Sequence, residues 1–234
     1  MSLDSALRAL LLENGAALVG YGDLSALPEA CREPFGTGMN TGIAVAVKMT
    51  PTVLMGIERQ ATPEYYNEKI SLNSLLARLS AQTVRFLETN GYQAFAQTGK
   101  AVSFDRVRQA TALPHKTVAT RAGLGWIGNC ALLVTEQFGS AVRLSSVLTD
   151  APLKTAEPIN QSRCGTCNVC RKICPAKAVL GGNWRPGLER EAFYDAPACG
   201  RYADKRAAEA GFDETLCGLC IVKCPWTQRY INRF

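Results

Sequence analysis

The sequence predicts a mixed α/β (α+β) layer fold over residues 1–152, followed by a small cysteine-rich domain over residues 153–234. Three observations carry this expectation. Helix-type and strand-type apolar periodicities alternate through the first 150 residues, the proline-containing stretch "DAPLKTAEPINQS" interrupts them, and eight of the ten cysteines lie beyond it.

Taken in order, "LDSALRALLLENG" repeats apolar residues at helical spacing and stops at Gly15. "AALVGYG" is a short apolar run closed by glycine, and "TGIAVAVKM" is rich in strand formers, as expected of a strand buried on both faces. Thr62 and Pro63 open a long helix, with Thr62 as N-cap and proline in the first helical position. Tyr66, Ile70, Leu72, Leu76, Leu79, Phe86 and Leu87 line its apolar face until Asn90-Gly91 ends it. "YQAFAQ" reads as a strand, residues 115–122 as a helix stopping at Gly123, and "ALLVT" and "AVRLSSVLT" as two further strands.

A chain of 234 residues with 47% hydrophobic content can bury a substantial core. No apolar run approaches the ~18 residues needed to cross a bilayer. The N-terminal stretch lacks the basic leader of a secretory signal, so the expectation is a cytoplasmic protein without a membrane partner. Lys and Arg outnumber Asp and Glu by 13 to 12 over residues 1–150 and by 13 to 8 over residues 151–234, so the basic excess belongs to the cysteine-rich end. Such an excess offsets an anionic metal cluster or, alternatively, marks a phosphate-binding face.

The cysteine spacing is the most specific signal. "CGTCNVCRKICP" sets Cys164, Cys167, Cys170 and Cys174 in a C-x2-C-x2-C-x3-C-P run, the pattern in which three thiolates hold one [4Fe-4S] cluster and the fourth reaches a second. The second set is present. "CGLCIVKCP" supplies Cys217, Cys220 and Cys224, and Cys199 stands in for the missing first ligand. Zinc prefers four ligands in separated pairs, and disulfide frameworks belong to small secreted chains, so both fit less well. Ferredoxin-type crossing then assigns Cys164, Cys167, Cys170 and Cys224 to one cluster, and Cys217, Cys220, Cys199 and Cys174 to the other. Cys31 and Cys130 belong to neither set and read as small buried apolar residues.

An electron carrier needs only the clusters, so the preceding 150 residues are expected to bind something. "RAGLGWIGN", with Gly123, Gly125 and Gly128, permits close backbone approach to a ligand; a helix C-cap followed by a tight turn explains the same glycines. It is not a dinucleotide-binding fingerprint, because it follows a helix and precedes a strand.

The order "HKTVATRAGLGWIGN", "GSAVRLSSVLTDAPL", "CGTCNVCRKICP" and "CGLCIVKCPW" resembles the epoxyqueuosine reductases and the related reductive dehalogenases over roughly residues 115–226, and "ALVGYGDLS" with the helix after "PEYYNEK" extends it more loosely. The resemblance implies a nitroreductase-like α/β domain that binds cobalamin and a ferredoxin-like domain whose two [4Fe-4S] clusters feed it electrons. It places the corrinoid against Gly123, Leu124, Gly125, Trp126 and Gly128. It also implies an electron donor such as ferredoxin or flavodoxin, and it leaves a small molecule or tRNA open as substrate. This chain departs from the pattern. Gly128-Asn129-Cys130 stands where the family usually reads Gly-Lys-Asn or Gly-Lys-Ser, and Gln109 falls where epoxyqueuosine reductases carry an aspartate, as in a short, divergent branch.

Reduction of a substrate requires a proton source. His115, the only histidine, leads on intrinsic pKa, with Tyr65, Tyr66 and Asp105 behind it. The expected function is a cobalamin-dependent iron–sulfur oxidoreductase; the alternative is a low-potential electron-transfer protein or reductive activator of a corrinoid partner. Anaerobic reconstitution should give about eight irons per chain. Iron analysis should show Cys199→Ala losing about half of it and Cys31→Ser keeping all of it; unchanged iron in the alanine variant would refute the ligand assignment.

Overall fold

A computed structural model describes residues 2–31, 38–98 and 104–234. Helix α1 (Leu3–Glu13) leads into strand β1 (Leu18–Asp23) and, after a loop, β2 (Thr41–Lys48), α2 (Pro51–Gly56) and the long α3 (Pro63–Thr89). Then come β3 (Ala94–Ala96), a short hairpin of β4 (Phe104–Asp105) and β5 (Ala110–Thr111), and α4 (His115–Arg121). A second two-stranded ribbon pairs β6 (Trp126–Ile127) with β7 (Leu133–Val134) before β8 (Val142–Thr149). The cysteine-rich segment holds α5 (Val169–Ile173), α6 (Ala196–Glu209), α7 (Leu219–Val222) and α8 (Pro225–Ile231).

The main sheet is antiparallel, in the order β1-β2-β8-β3. β2 is central and buried on both faces, as its unbroken run of strand formers predicts. Helices α1 and α3 cover one face, packing Leu7, Leu11, Leu76, Leu79 and Leu87 against Val19, Val45 and Val147. α4 covers the other, where Val118 and Ala122 meet Ala44 and Leu148. It lies close because β1 offers glycine: a Cβ at Gly22 would stand 2.5 Å from the backbone of Arg121. At α3 the Thr62 hydroxyl accepts a hydrogen bond from the Tyr65 amide at 3.3 Å, with Pro63 next, as the sequence predicts. The β4–β5 hairpin was not legible beforehand, since two-residue strands leave no periodicity.

Residues 150–168 form no helix or strand. The segment after it nevertheless shares a core with the sheet layer. Met49, Leu54, Ile57 and Tyr65 pack with Ala207, Leu216, Val222, Tyr230 and Ile231. The Tyr230 hydroxyl donates to the Met49 carbonyl at 2.9 Å, and the Ser140 amide donates to Thr227 Oγ1 at 3.0 Å. Gly139 carries this junction: its φ is +57°, and a Cβ there would lie 2.2 Å from the Thr227 amide nitrogen. Left-handed strain and overpacking together should make Gly139→Ala cost roughly 2–4 kcal/mol. Thermal melting followed by circular dichroism should show a midpoint lower by roughly 5–15 °C.

Candidate functional site

Four of the cysteines gather at one cavity. Cys174, Cys199, Cys217 and Cys220 all line one cavity of about 200 Å³, closed on other sides by Pro175, Tyr65, Tyr194, Leu132 and Ile221. These are the four residues that the crossing rule assigns to the second cluster. A buried arginine, Arg206, donates to the Cys217 carbonyl at 3.5 Å and approaches its Sγ at 3.7 Å, while the Tyr194 phenol hydrogen-bonds Cys199. Both contacts place positive or hydrogen-bonding character on thiolates, which lowers the cost of gathering four anionic sulfurs and raises a cluster's potential. Cys164 of the other set lies within electrostatic reach of Cys224, beside Gly128, and Cys167 lines a surface depression of about 240 Å³. Among the described residues no three such side chains converge tightly enough for a single metal ion. Cys130 is buried, and its thiol contacts Cys170 of one set and Cys220 of the other, so it lies at the junction of the two groups. Cys31 packs at the opposite edge of the sheet, beside α4.

A cavity of about 670 Å³ is lined mainly by the first segment, with Ile221 from the second. Met49, Leu113, Leu133, Val142 and Leu144 give it apolar walls; Gln97, His115, Lys116, Ser140 and Arg143 supply polar groups, and among the described residues no carboxylate lines it. Leu132 and Ile221 line both this cavity and the one holding Cys174, Cys199, Cys217 and Cys220. Two side chains thus form a shared partition. Its size, apolar walls and few convergent donors are those of a small-molecule or cofactor site.

His115 opens α4, and its Nδ1 is hydrogen-bonded to Ser146 Oγ at 2.7 Å. Burial pushes its pKa below the ordinary value, leaving the ring neutral. Lys116 donates to the Ala131 carbonyl at 2.7 Å; burial, reinforced by Arg190, brings its ammonium pKa down to about 8. It also lines an adjoining cavity of about 290 Å³ that opens beyond the β4–β5 hairpin. Arg143 is fixed through Nε to Asn73 Oδ1 at 2.8 Å. Gln97 is 4% exposed and its Nε2 has no hydrogen-bond partner, which leaves a donor at the cavity wall. Gln97, Lys116 and Arg143 were missed in the sequence because single polar residues inside apolar runs carry no motif; two sit in or beside strands that the pattern assigned to the core.

Several sequence-predicted site residues lie elsewhere. None of Gly123, Leu124, Gly125, Trp126 and Gly128 lines the large cavity. The space their missing side chains leave is filled by the chain itself: a Cβ at Gly125 would meet the Val134 carbonyl at 2.2 Å, and one at Gly128 would meet Val134 Cγ2 at 2.8 Å. Trp126 is fully buried, edge-on to Trp226 at 4.9 Å. The glycine turn is therefore a packing device that seats β6 on β7 beside Cys164. Tyr66 stacks on Phe212 at 5.0 Å, and Asp105 is exposed, accepting from the Val107 and Arg108 amides at 2.9 Å; neither reaches the cavity. Tyr65 lines the cysteine cavity, where burial pushes its pKa to about 12. Gln109 faces the adjoining cavity and abuts Gly200.

No protein-family model matches the chain. Comparison with curated proteins gives 31% identity over 123 residues to the epoxyqueuosine reductase of Lactococcus garvieae, covering 53% of this chain and 34% of the relative. Its curated homologues are epoxyqueuosine reductases. That of Bacillus anthracis is 39% identical over 113 residues (48% of this chain, 29% of the relative), and that of Pseudomonas aeruginosa is 26% identical over 180 residues (76% and 44%). The chain therefore spans about a third to somewhat under half the length of these epoxyqueuosine reductases. Among solved structures, a catabolic reductive dehalogenase in complex with 3-bromo-4-hydroxybenzoic acid superposes with a TM-score of 0.73 at 19% identity, covering 95% of this chain and 31% of that one. An epoxyqueuosine reductase with an epoxyqueuosine-modified tRNA-Tyr stem loop gives 0.61 at 17% identity, covering 97% and 65%. These likenesses establish the fold.

The neutral state of His115 has a consequence for stability. The unfolded chain protonates this ring near pH 6.5, while the folded protein resists until a lower pH. Stability therefore falls as pH drops through and below 6.5, by up to about 1.4 kcal/mol per pH unit until the folded pKa is reached. Urea denaturation at pH 7.5 and pH 5.5 should show that His115→Gln loses less stability on acidification than the unchanged protein.

Proposed function

We propose that this chain is an iron–sulfur oxidoreductase of the epoxyqueuosine reductase kind, in which two [4Fe-4S] clusters pass electrons to a cobalamin bound in the 670 Å³ cavity, for reduction of a substrate. The observation that carries this reading is the shared wall: Leu132 and Ile221 line both a four-cysteine cavity and the 670 Å³ pocket. When bound, a cobalamin supplies a cobalt centre able to take electrons from the clusters and use them on a substrate. The apolar walls from Met49, Leu133 and Leu144 suit the faces of a macrocycle, and Gln97, Lys116 and Arg143 offer donors to its amide and phosphate groups.

Within that cavity the proton is better held by Lys116 than by His115. An amine with a pKa of about 8 is mostly protonated at pH 7 and still releases its proton readily, whereas the His115 ring is neutral and engaged by Ser146. Gln109, which replaces the family's aspartate, carries no proton to give. That substitution favours a substrate other than the one for which the curated homologues are named, and it keeps an electron carrier or corrinoid activator as the second reading.

Titration of the anaerobic chain with cob(II)alamin should change the electron paramagnetic resonance spectrum at micromolar protein. Arg143→Gln should weaken binding about tenfold or more while leaving iron content intact. Absence of any spectral change would return the chain to the electron-carrier class.

A further inference from the structure

Residues 158–188 contain five cations, Arg163, Arg171, Lys172, Lys177 and Arg185, and no carboxylate. All five are exposed. Arg163 is paired with Glu136, but among the described residues no ion pair involves Arg171, Lys172, Lys177 or Arg185. All four lie within 18 residues of Cys167 in the chain, and Arg171 lines the same surface depression as Cys167 and Gly182. Leu180, 45% exposed, adds an apolar contact to the same stretch.

Offsetting a cluster's negative charge is a poor use of such side chains. The buried Arg206 already does this beside Cys217, whereas exposed cations are screened from a cluster by water and salt. Steering a charged partner is what exposed, unpaired charge does well. Position identifies the partner. The set Cys174, Cys199, Cys217 and Cys220 borders the large cavity, so the set containing Cys167 is the outer one, where electrons arrive.

We propose that Arg171, Lys172, Lys177 and Arg185 form the docking surface for an acidic one-electron carrier protein, which reduces the cluster of Cys164, Cys167, Cys170 and Cys224. This rests on the reading that the cysteines hold clusters. Each encounter moves one electron: the carrier is oxidised by one unit and the cluster passes from its 2+ to its 1+ state, with no bond broken and no proton transferred.

The test is stopped-flow reduction of the reconstituted full chain by a reduced acidic ferredoxin, followed by bleaching of the cluster absorbance. Photoreduced 5-deazariboflavin, small and uncharged, is the comparison reductant. The bimolecular rate with ferredoxin should fall steeply with ionic strength, and R171E/K172E should lower it roughly 10- to 100-fold at low salt. Iron content and the deazariboflavin rate should not change. Because Arg171 and Lys172 lie between Cys170 and Cys174, K177E/R185E provides a second variant outside that run, with the same direction expected. Unchanged ferredoxin rates in both variants, with iron intact, would overturn the proposal. So would loss of binding to a tRNA stem loop in variants that ferredoxin still reduces at full rate, since the face would then serve nucleic acid. A chain that forms no reducible cluster even with deazariboflavin removes the cluster reading and this one together.

Discussion

The arrangement depends on the buried seam where the cysteine-rich segment packs against α2, α3 and the approach to β8. Tyr230 donating to the Met49 carbonyl, Arg206 to the Ile57 carbonyl and the Ser140 amide to Thr227 are hydrogen bonds made at the seam, each removing a polar group that burial would otherwise leave unsatisfied. Apolar burial from Leu54, Ile57, Leu216, Val222 and Ile231 supplies the non-directional part. The directional bonds fix the register between segments. Without that register, Ile221 would not lie opposite Leu132, and the four-cysteine cavity would not adjoin the large pocket.

Charge is distributed along the same axis. On the surface, Arg171 lines the depression of Cys167; beside the four-cysteine cavity, a buried guanidinium meets Cys217; in the large cavity, Lys116 and Arg143 are among the lining residues. Cations thus stand at each of the three places, and each favours negative charge locally. The basic excess of the C-terminal segment in the sequence is the surface part of this series. The inner part contributes few residues and is invisible to composition.

What the sequence made legible follows from where physical constraint is local. Thr62, Pro63 and the apolar stripe of α3 act within a few turns of chain, and the β2 run of Ile43 to Val47 is unmistakable as a buried strand. The gathering of Cys174, Cys199, Cys217 and Cys220 at one cavity was legible in the spacing and the count of cysteines, even though Cys199 is carried on α6, well before Cys217 and Cys220. The large cavity was not legible at all: Gln97, His115, Lys116 and Arg143 come from three separate elements, and their convergence is a property of tertiary packing. The glycine turn misled for a related reason. Close backbone approach was the correct inference at Gly125, but the approaching group is Val134 of the same chain.

The partition between the two cavities also bears on how the molecule matures. Leu132 belongs to the β6–β7 ribbon and Ile221 to α7, nearly ninety positions later in the chain. A pocket that borrows one wall from α7 has an open side until α7 is seated, and α7 also carries Cys220. Seating Cys220 at the four-cysteine cavity and completing the wall of the large pocket are consequently one event in folding, because a single short helix carries both residues.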